Sequence, residues 1–320
     1  MPTLSELSLH CMCIEADVLN KVFDPFKDTD IELPTLQNKF KYISSACDFH
    51  NVDNIHAKLP NSCNTLNLFH LNIRSIINKR DDLISLMKDC NVQWRAIAVS
   101  ETWLNKSIEN MYSLPNYCSF FSSRENRIGG GAGLYIKTDL NPTRSHIPPF
   151  TTADVVCVEV NFINQPNLLI CRIYKPPNTD KFIFIAELEK LLIYFSKVNK
   201  TTCIAGDFNF DLFATSYNSH SLDFFTTMSS YGFFPTIFKA TRCTDASSSL
   251  LDNIFCNKFE KINSSGIILH DITDHFPIFA SLTLETTLHV APSDPPLVFD
   301  YRHLEDLKSY LLQHLHPVAD

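Results

Sequence analysis

The stretch "CIAGDFNFDL", residues 203–212, follows an apolar run with a glycine, an acid and, two residues further on, an amide. Glycine is scarce here, with seven in 320 residues, so one placed at this point needs a reason. "TTCIAG" reads as a buried strand, and Gly206 stands where it is expected to end and turn sharply into a cleft. In an extended chain the side chains of Asp207 and Asn209 leave on the same side. An anionic oxygen and an amide held together can bind a cation, or a water and a phosphate oxygen at once. Alone, an acid and an amide after a strand are ordinary turn residues.

The surrounding pattern is mixed. "LNLFHLNI" (66–73), "RAIAVS" (95–100), "GLYIK", "VVCVEV" and "NLLICRIY" read as strands. "SIINKRDDLISLMKDC" predicts a helix capped by Ser75, with Ile76, Leu83, Ile84 and Met87 on one side. "DKFIFIAELEKLLIYFSK" (180–197) predicts a second, with Phe184, Leu188, Leu191, Leu192 and Phe195 facing inward. A third helix falls near "SLDFFTTMSSYG", and strands at "LLDNIFC", "SGIIL" and "PIFASLTL" complete the pattern. Strands with interspersed helices predict an α/β fold of two packed sheets flanked by helices. Four glycines sit in "RIGGGAGLYIK". A phosphate-cradling loop needs a following Gly-Lys-Ser/Thr and a helix, whereas a strand follows here, so a flexible turn is expected.

Other strand ends repeat the theme of the opening stretch. Asn72 ends "LFHLN", Glu101 follows "AIAVS", Tyr174 ends "LLICRIY", and Asp274 with His275 precedes "FPIFASL". Each alone is a cap or turn residue. Five apolar strands that all end in polar groups predict one rim on which a site is assembled. The oxygen donors Asn72, Glu101 and Asp274 suit a hard ion such as Mg²⁺. Cys11 and Cys13, and the looser group Cys47, His50, His56 and Cys63, match no common zinc spacing.

Composition narrows the function classes. A hydrophobic content of 45% with 25 phenylalanines supports a large core, and 19% charged residues is too few for a disordered chain. A net charge of −8 argues against gripping nucleic acid by bulk charge, but leaves open carboxylates that hold a metal. No basic-then-apolar leader and no run of membrane-spanning length is visible. Eleven cysteines without a C-x-x-C pair fit reduced thiols in an intracellular protein. Residues 1–64 are weakly patterned and read as a leader, 65–285 as the main domain, and 286–320 as a linker with an amphipathic helix.

Seven motifs in order carry a family resemblance: "HLNIRSI", "SETWL", "GGGAGLYIK", "YKPPN", "GDFNFDL", "ATRCTDASSSLLDNIF" and "TDHFPIF". Together they resemble the endonuclease/exonuclease/phosphatase superfamily, and within it the apurinic-type endonuclease domain of LINE-type (non-LTR) retrotransposons. The resemblance implies a four-layered α/β sandwich with the site on one rim between the sheets. It implies that Glu101 is the main metal ligand, with Asn72 and Asp274 beside it, and that Mg²⁺ is the ion, with Mn²⁺ as the alternative. Tyr174 then resembles the phosphate-bonding tyrosine, Asp207 the residue that activates water, and Asn209 a phosphate-contacting amide. Asp252 resembles the carboxylate that orients the histidine, here His275, while Thr241 and Ser249 lie where the family contacts phosphate or supports the site. Trp103 and Phe208 are expected in core packing. "TDH" stands for the commoner "SDH" and "YKPP" for "YRPP"; the latter exchange loses a bidentate guanidinium.

The implied activity is a nick in DNA that leaves a 3′-hydroxyl to prime reverse transcription. DNA is the implied partner; element RNA and a reverse transcriptase domain follow only if the chain is part of a longer product. No polymerase motif of the Y-A-D-D type is present, and "RDDL" at 80–83 lies in the helical segment, so a truncated element product is expected. A nuclear location follows from that substrate and not from any visible basic import signal, and no membrane partner is expected. Two alternatives stay open: a phosphatase or phosphodiesterase of lipid or inositol phosphates, and a catalytically idle fragment that binds DNA or protein.

Overall fold

The computed structural model describes residues 33–59, 61–125, 129–162, 166–215, 218–244 and 247–284. The first strands along the chain are β1 (Asp48–Asn51), β2 (Thr65–Asn72), β3 (Ala96–Ser100), β4 (Tyr117–Ser122) and β5 (Ala132–Lys137). Next come β6 (Thr143–Arg144), β7 (Asp154–Val160), β8 (Leu168–Tyr174), β9 (Thr201–Asp207) and β10 (Phe234–Pro235). The last are β11 (Arg242–Cys243), β12 (Ser248–Ser249), β13 (Asp252–Cys256), β14 (Ile262–Leu269) and β15 (Ile278–Thr283). Four α-helices accompany them among the described residues: α1 (Leu33–Ala46), α2 (Arg80–Asp89), α3 (Lys181–Val198) and α4 (Ser219–Ser230).

The strands form two large mixed sheets, ordered β1-β14-β15-β2-β3-β5-β4 and β10-β13-β9-β8-β7-β6, with β11 and β12 as a separate hairpin. Alternation along β2 and β3 shows how they stack. Leu66, Leu68, Ala96 and Ala98 belong to the core between the sheets. Phe69, Leu71, Ile97 and Val99 belong to a second core that includes Leu83 and Leu86 of α2. Each strand therefore sends one face into the seam and the other outward, as a two-residue period requires. Sheets flanked by helices are the expected α/β sandwich. Phe184, Leu188, Leu191, Leu192 and Phe195 of α3 are buried as predicted, and Asp180 caps that helix by accepting from the Ile183 N–H.

Three local expectations change. Ser75 does not cap α2, which begins at Arg80 behind Lys79; Ser75 has φ +79° and donates its N–H to the Glu101 carbonyl at 2.7 Å. It ties two site loops together instead of starting a helix. The segment before residue 65, read as lacking a core element, carries α1 and β1. β1 adds to sheet one parallel to β14, and Ile43, Cys47, Ile55 and Leu59 are buried. Its strand is four residues long and has polar residues, Asp48 and Asn51, at its two ends, too short for a visible period. Gly206 lies inside β9 rather than at a turn. A Cβ there would sit 2.0 Å from the Ile173 carbonyl oxygen, so close approach of β8 is what requires glycine. The "APSDPP" linker, the final amphipathic helix, Cys11 and Cys13 lie outside the described residues. No described helix is long and apolar enough to cross a membrane.

Candidate active site

The register places polar residues where each seam-facing row runs out of apolar ones. Along sheet two, Asp154 lies opposite Tyr174, Tyr174 beside Asp207, and Asp207 opposite Asp252. One row across four strands therefore carries three carboxylates and a phenol at one end of the seam. Facing them from sheet one are the ends of β2 and β3, where Asn72 pairs with Ser100 and Glu101 follows at once. Long-range pairing thus brings together residues that are scattered along the sequence.

Asn72 joins two of them. Its Nδ2 donates to Glu101 Oε1 at 3.0 Å and to Asp207 Oδ2 at 2.8 Å, across the seam. Trp103 Nε1 donates to Glu101 Oε2 at 3.2 Å. Trp103 is 37% exposed, so the core-packing expectation fails for it, whereas Phe208 is buried as expected. Asp207 Oδ1 accepts the Asn209 N–H at 3.1 Å, while Asn209 Nδ2 donates to the Lys175 carbonyl at 2.8 Å. Asn209 has φ +50°, so the pair does not share one side of an extended strand; it closes a turn around the Asp207 carboxylate.

A second group centres on Asp252. His275 Nδ1 lies 2.7 Å from Asp252 Oδ2, Thr241 Oγ1 donates to the same oxygen at 2.9 Å, and His70 Nε2 lies 3.2 Å from Oδ1. Ser249 contributes its carbonyl, which accepts the Thr241 N–H at 3.0 Å and fixes that threonine. Asp274 lies at the rim with Arg74 and Arg242 on its two oxygens.

Charge follows burial. Burial and then the Asp252 charge push the Asp207 carboxyl upward. Burial opposes ionisation of Asp252 too, but the His275 charge and its hydrogen bond win and hold that carboxyl well below the usual range. For His275 burial lowers and the Asp252 carboxylate raises; the carboxylate prevails, and the imidazole is held up at about 9. Burial, then the charges of Glu101 and Asp207, keep the Tyr174 phenol protonated far into alkali.

Backbone strain marks the same place. Outside glycine and asparagine, the described residues with positive φ are Arg74 (+44°), Ser75 (+79°), Glu101 (+53°) and Trp103 (+57°). All lie in the two loops that leave β2 and β3 at the site. Such conformations cost about 1–3 kcal/mol each and persist where packing dictates them.

The sequence model of the endonuclease/exonuclease/phosphatase family matches residues 65–275. The chain belongs to that family. Among solved structures it resembles the endonuclease domain of TRAS1, a telomere-specific non-LTR retrotransposon, at 12% identity. That match covers 69% of this chain and 100% of that one, with a TM-score of 0.56. An AP endonuclease, LMAP from Leishmania major, is 11% identical over 84% of this chain and 99% of its own, with a TM-score of 0.58. An AP endonuclease from Archaeoglobus fulgidus is 15% identical over 67% and 98%, with a TM-score of 0.50. At these identities the likeness shows the fold. No curated protein is significantly similar to the chain.

Within this family member, the buried cluster with metal-holding dimensions is Asp207, Asp252 and His275, whose donor atoms lie within 4.8 Å of one another. Both Asp252 oxygens and His275 Nδ1 are already bonded within the protein. Both Glu101 oxygens are bonded too, to Asn72 and Trp103, but among the described residues Glu101 makes no ion pair, and carboxylate oxygens of Glu101 and Asp207 meet at one amide. That chemistry suits a hard divalent cation. The looser Cys47, His50, His56 and Cys63 group is not gathered into any such cluster.

Three supporting groups escaped the sequence reading. His70, at 0% exposure, shares the Asp252 carboxylate with His275. Arg172, fully buried on β8, spans the seam to donate to Ser100 Oγ, while burial lowers its pKa to about 10. Asp154 pairs with Arg124 at 2.6 Å and accepts the Gly131 N–H at 2.8 Å, anchoring the glycine turn beside Tyr174. His70 and Arg172 sit inside apolar strands, where a polar letter at an inward position was the available signal.

Proposed function

We propose that the chain is a divalent-metal-dependent DNA endonuclease, with Mg²⁺ held by Glu101 and Asn72, of the kind found in LINE-type retrotransposons. The observation that carries the reading is the convergence of two bonded groups at one end of the seam. One is Glu101–Asn72–Asp207, the other His70–Asp252–His275. One group supplies oxygen ligands and a base, the other a held cationic donor, and phosphodiester hydrolysis needs both. The TRAS1 endonuclease domain and the AP endonucleases support a nucleic-acid substrate.

The bound metal supplies Lewis-acid neutralisation of phosphate charge and can polarise water. Asp207, with its affinity for protons raised, takes a proton from the attacking water near neutral pH. The water oxygen bonds to phosphorus, the P–O3′ bond breaks, and O3′ leaves with the electron pair and acquires a proton. His275, charged at neutral pH, has Nδ1 fixed on Asp252 and presents Nε2 to a phosphate oxygen. Tyr174 stays protonated and donates in the same way, and Asn209 borders the phosphate with its amide anchored on Lys175.

Purified chain with Mg²⁺ is expected to nick supercoiled plasmid. Glu101→Ala and His275→Ala are each expected to lower the rate by about 10²–10³ or more. A folded wild type that leaves plasmid intact while releasing phosphate from inositol phosphates would transfer the site to that substrate class. Binding of DNA without turnover would leave an idle fragment.

A further inference from the structure

A chain of net charge −8 needs a local place to hold a polyanion, and the rim of the site offers one. Asp274 stands between two guanidinium groups. Arg74 NH1 donates to Oδ1 at 2.8 Å; Arg242 reaches Oδ2 through Nε at 3.0 Å and NH2 at 2.8 Å. The side chains of Arg74 and Arg242 are 49% and 39% exposed, and that of Asp274 is 27% exposed. Two positive groups against one negative leave a net positive charge.

Each member is fixed by the site itself. Arg74 donates its backbone N–H to Asn72 Oδ1 at 3.1 Å, Arg242 follows Thr241, and Asp274 precedes His275. Arg242 and His275 also form an isolated antiparallel bridge. Lys79 Nζ bonds the carbonyls of Ile73 and Arg74 and brings a third cation to the same loop. Arg74 uses NH1 for Asp274, and Arg242 uses Nε and NH2, so each guanidinium keeps N–H groups for another acceptor.

We propose that Arg74 and Arg242, set in place by Asp274, clamp a phosphate of the DNA backbone next to the scissile one. Asp274 in this arrangement orients guanidinium groups instead of ligating the metal, because both its oxygens are held in arginine ion pairs, whereas Glu101 makes none among the described residues. A guanidinium held beforehand loses little freedom on binding phosphate, and its planar fork fits phosphate oxygens. The contact carries no base readout, so its effect is uniform across sequences. The proposal rests on the nuclease reading above.

The test uses full-length chain carrying Glu101→Gln, which keeps the DNA intact, and a fluorescein-labelled duplex titrated at several KCl concentrations. Adding Arg74→Ala or Arg242→Ala is expected to weaken binding roughly tenfold each. Each change should also lower the slope of log affinity against log salt by about 0.9. Lysine at either position should restore the slope but only part of the affinity. Unchanged affinity and slope in both alanine variants would overturn the clamp, as would equal losses with no change in slope. If the Glu101→Gln chain binds no duplex, the nuclease reading fails separately, and inorganic pyrophosphate decides the clamp. Thermal protection by pyrophosphate that disappears in the Arg74→Ala, Arg242→Ala chain upholds an anion site, and no protection of either chain removes it.

Discussion

Asp252→Asn is expected to abolish most of the nicking activity and to unfold more easily than the parent chain. The carboxylate is 0% exposed and holds His275, His70 and Thr241 at once. An amide keeps the shape but loses the charge, and one NH₂ group must face donors it cannot accept from. Breaking a buried pair in this way costs about 3–5 kcal/mol, and a misoriented histidine costs about 10²–10⁴ in rate. The pH dependence of stability gives a separate signature. His275 rises from 6.5 to about 9 on folding, so its contribution is complete below 6.5 and lost as pH climbs through about 9. Asp252 falls below 3.8, so its contribution is complete above that value and lost as pH drops through its lower folded value. The pair therefore stabilises most between 3.8 and 6.5. In urea unfolding the variant should lose less stability from pH 6.5 to 9 than the parent does, because the decline contributed by His275 is missing while that of the buried Asp207 remains. A parallel decline in both proteins would show that Asp252 and His275 are not linked.

Gly206→Ala is the second large effect. The added Cβ would meet the Ile173 carbonyl oxygen at 2.0 Å and its carbonyl carbon at 3.0 Å, and both are backbone atoms of the neighbouring strand. The strands must separate at the step before Tyr174 and Asp207. A loss of about 3 kcal/mol or more is expected, together with a fall in kcat because the pair of site residues shifts. Gly133→Ala is the milder comparison: its Cβ would meet side chains, Val99 and Phe121, and no backbone atom among its nearest neighbours, so a smaller loss is expected. Equal unfolding midpoints for Gly206→Ala and the parent would refute the close approach.

Much of this architecture was legible because apolar runs of seven or eight residues, such as β2, β8 and the face of α3, have clear periods. The site was legible at positions where a polar letter ends such a run: Asn72, Tyr174 and Asp207. What escaped depends on partners distant in sequence. His70 and Arg172 look like isolated polar letters within strands, and only the stacking of two sheets tells which face they occupy. Asp154 gains meaning from its pairing opposite Tyr174, set by register rather than by spacing. Trp103 reads as core because tryptophan usually is, yet the positive φ of its loop turns it toward Glu101. Ser75 reads as a cap for the same local reason, and a contact with Glu101 overrides it.

The four residues of β1 have a consequence for anyone trimming the protein to its family-matching segment. They cover Gly266 to Leu269 of β14. A chain cut back to Thr65 would leave that strand as a bare border with unanswered amide and carbonyl groups, and would strip Ile43 and Ile55 from the interior. Such borders recruit strands from other molecules. Self-association of the shortened protein would then reflect a lost cover rather than any natural tendency to assemble.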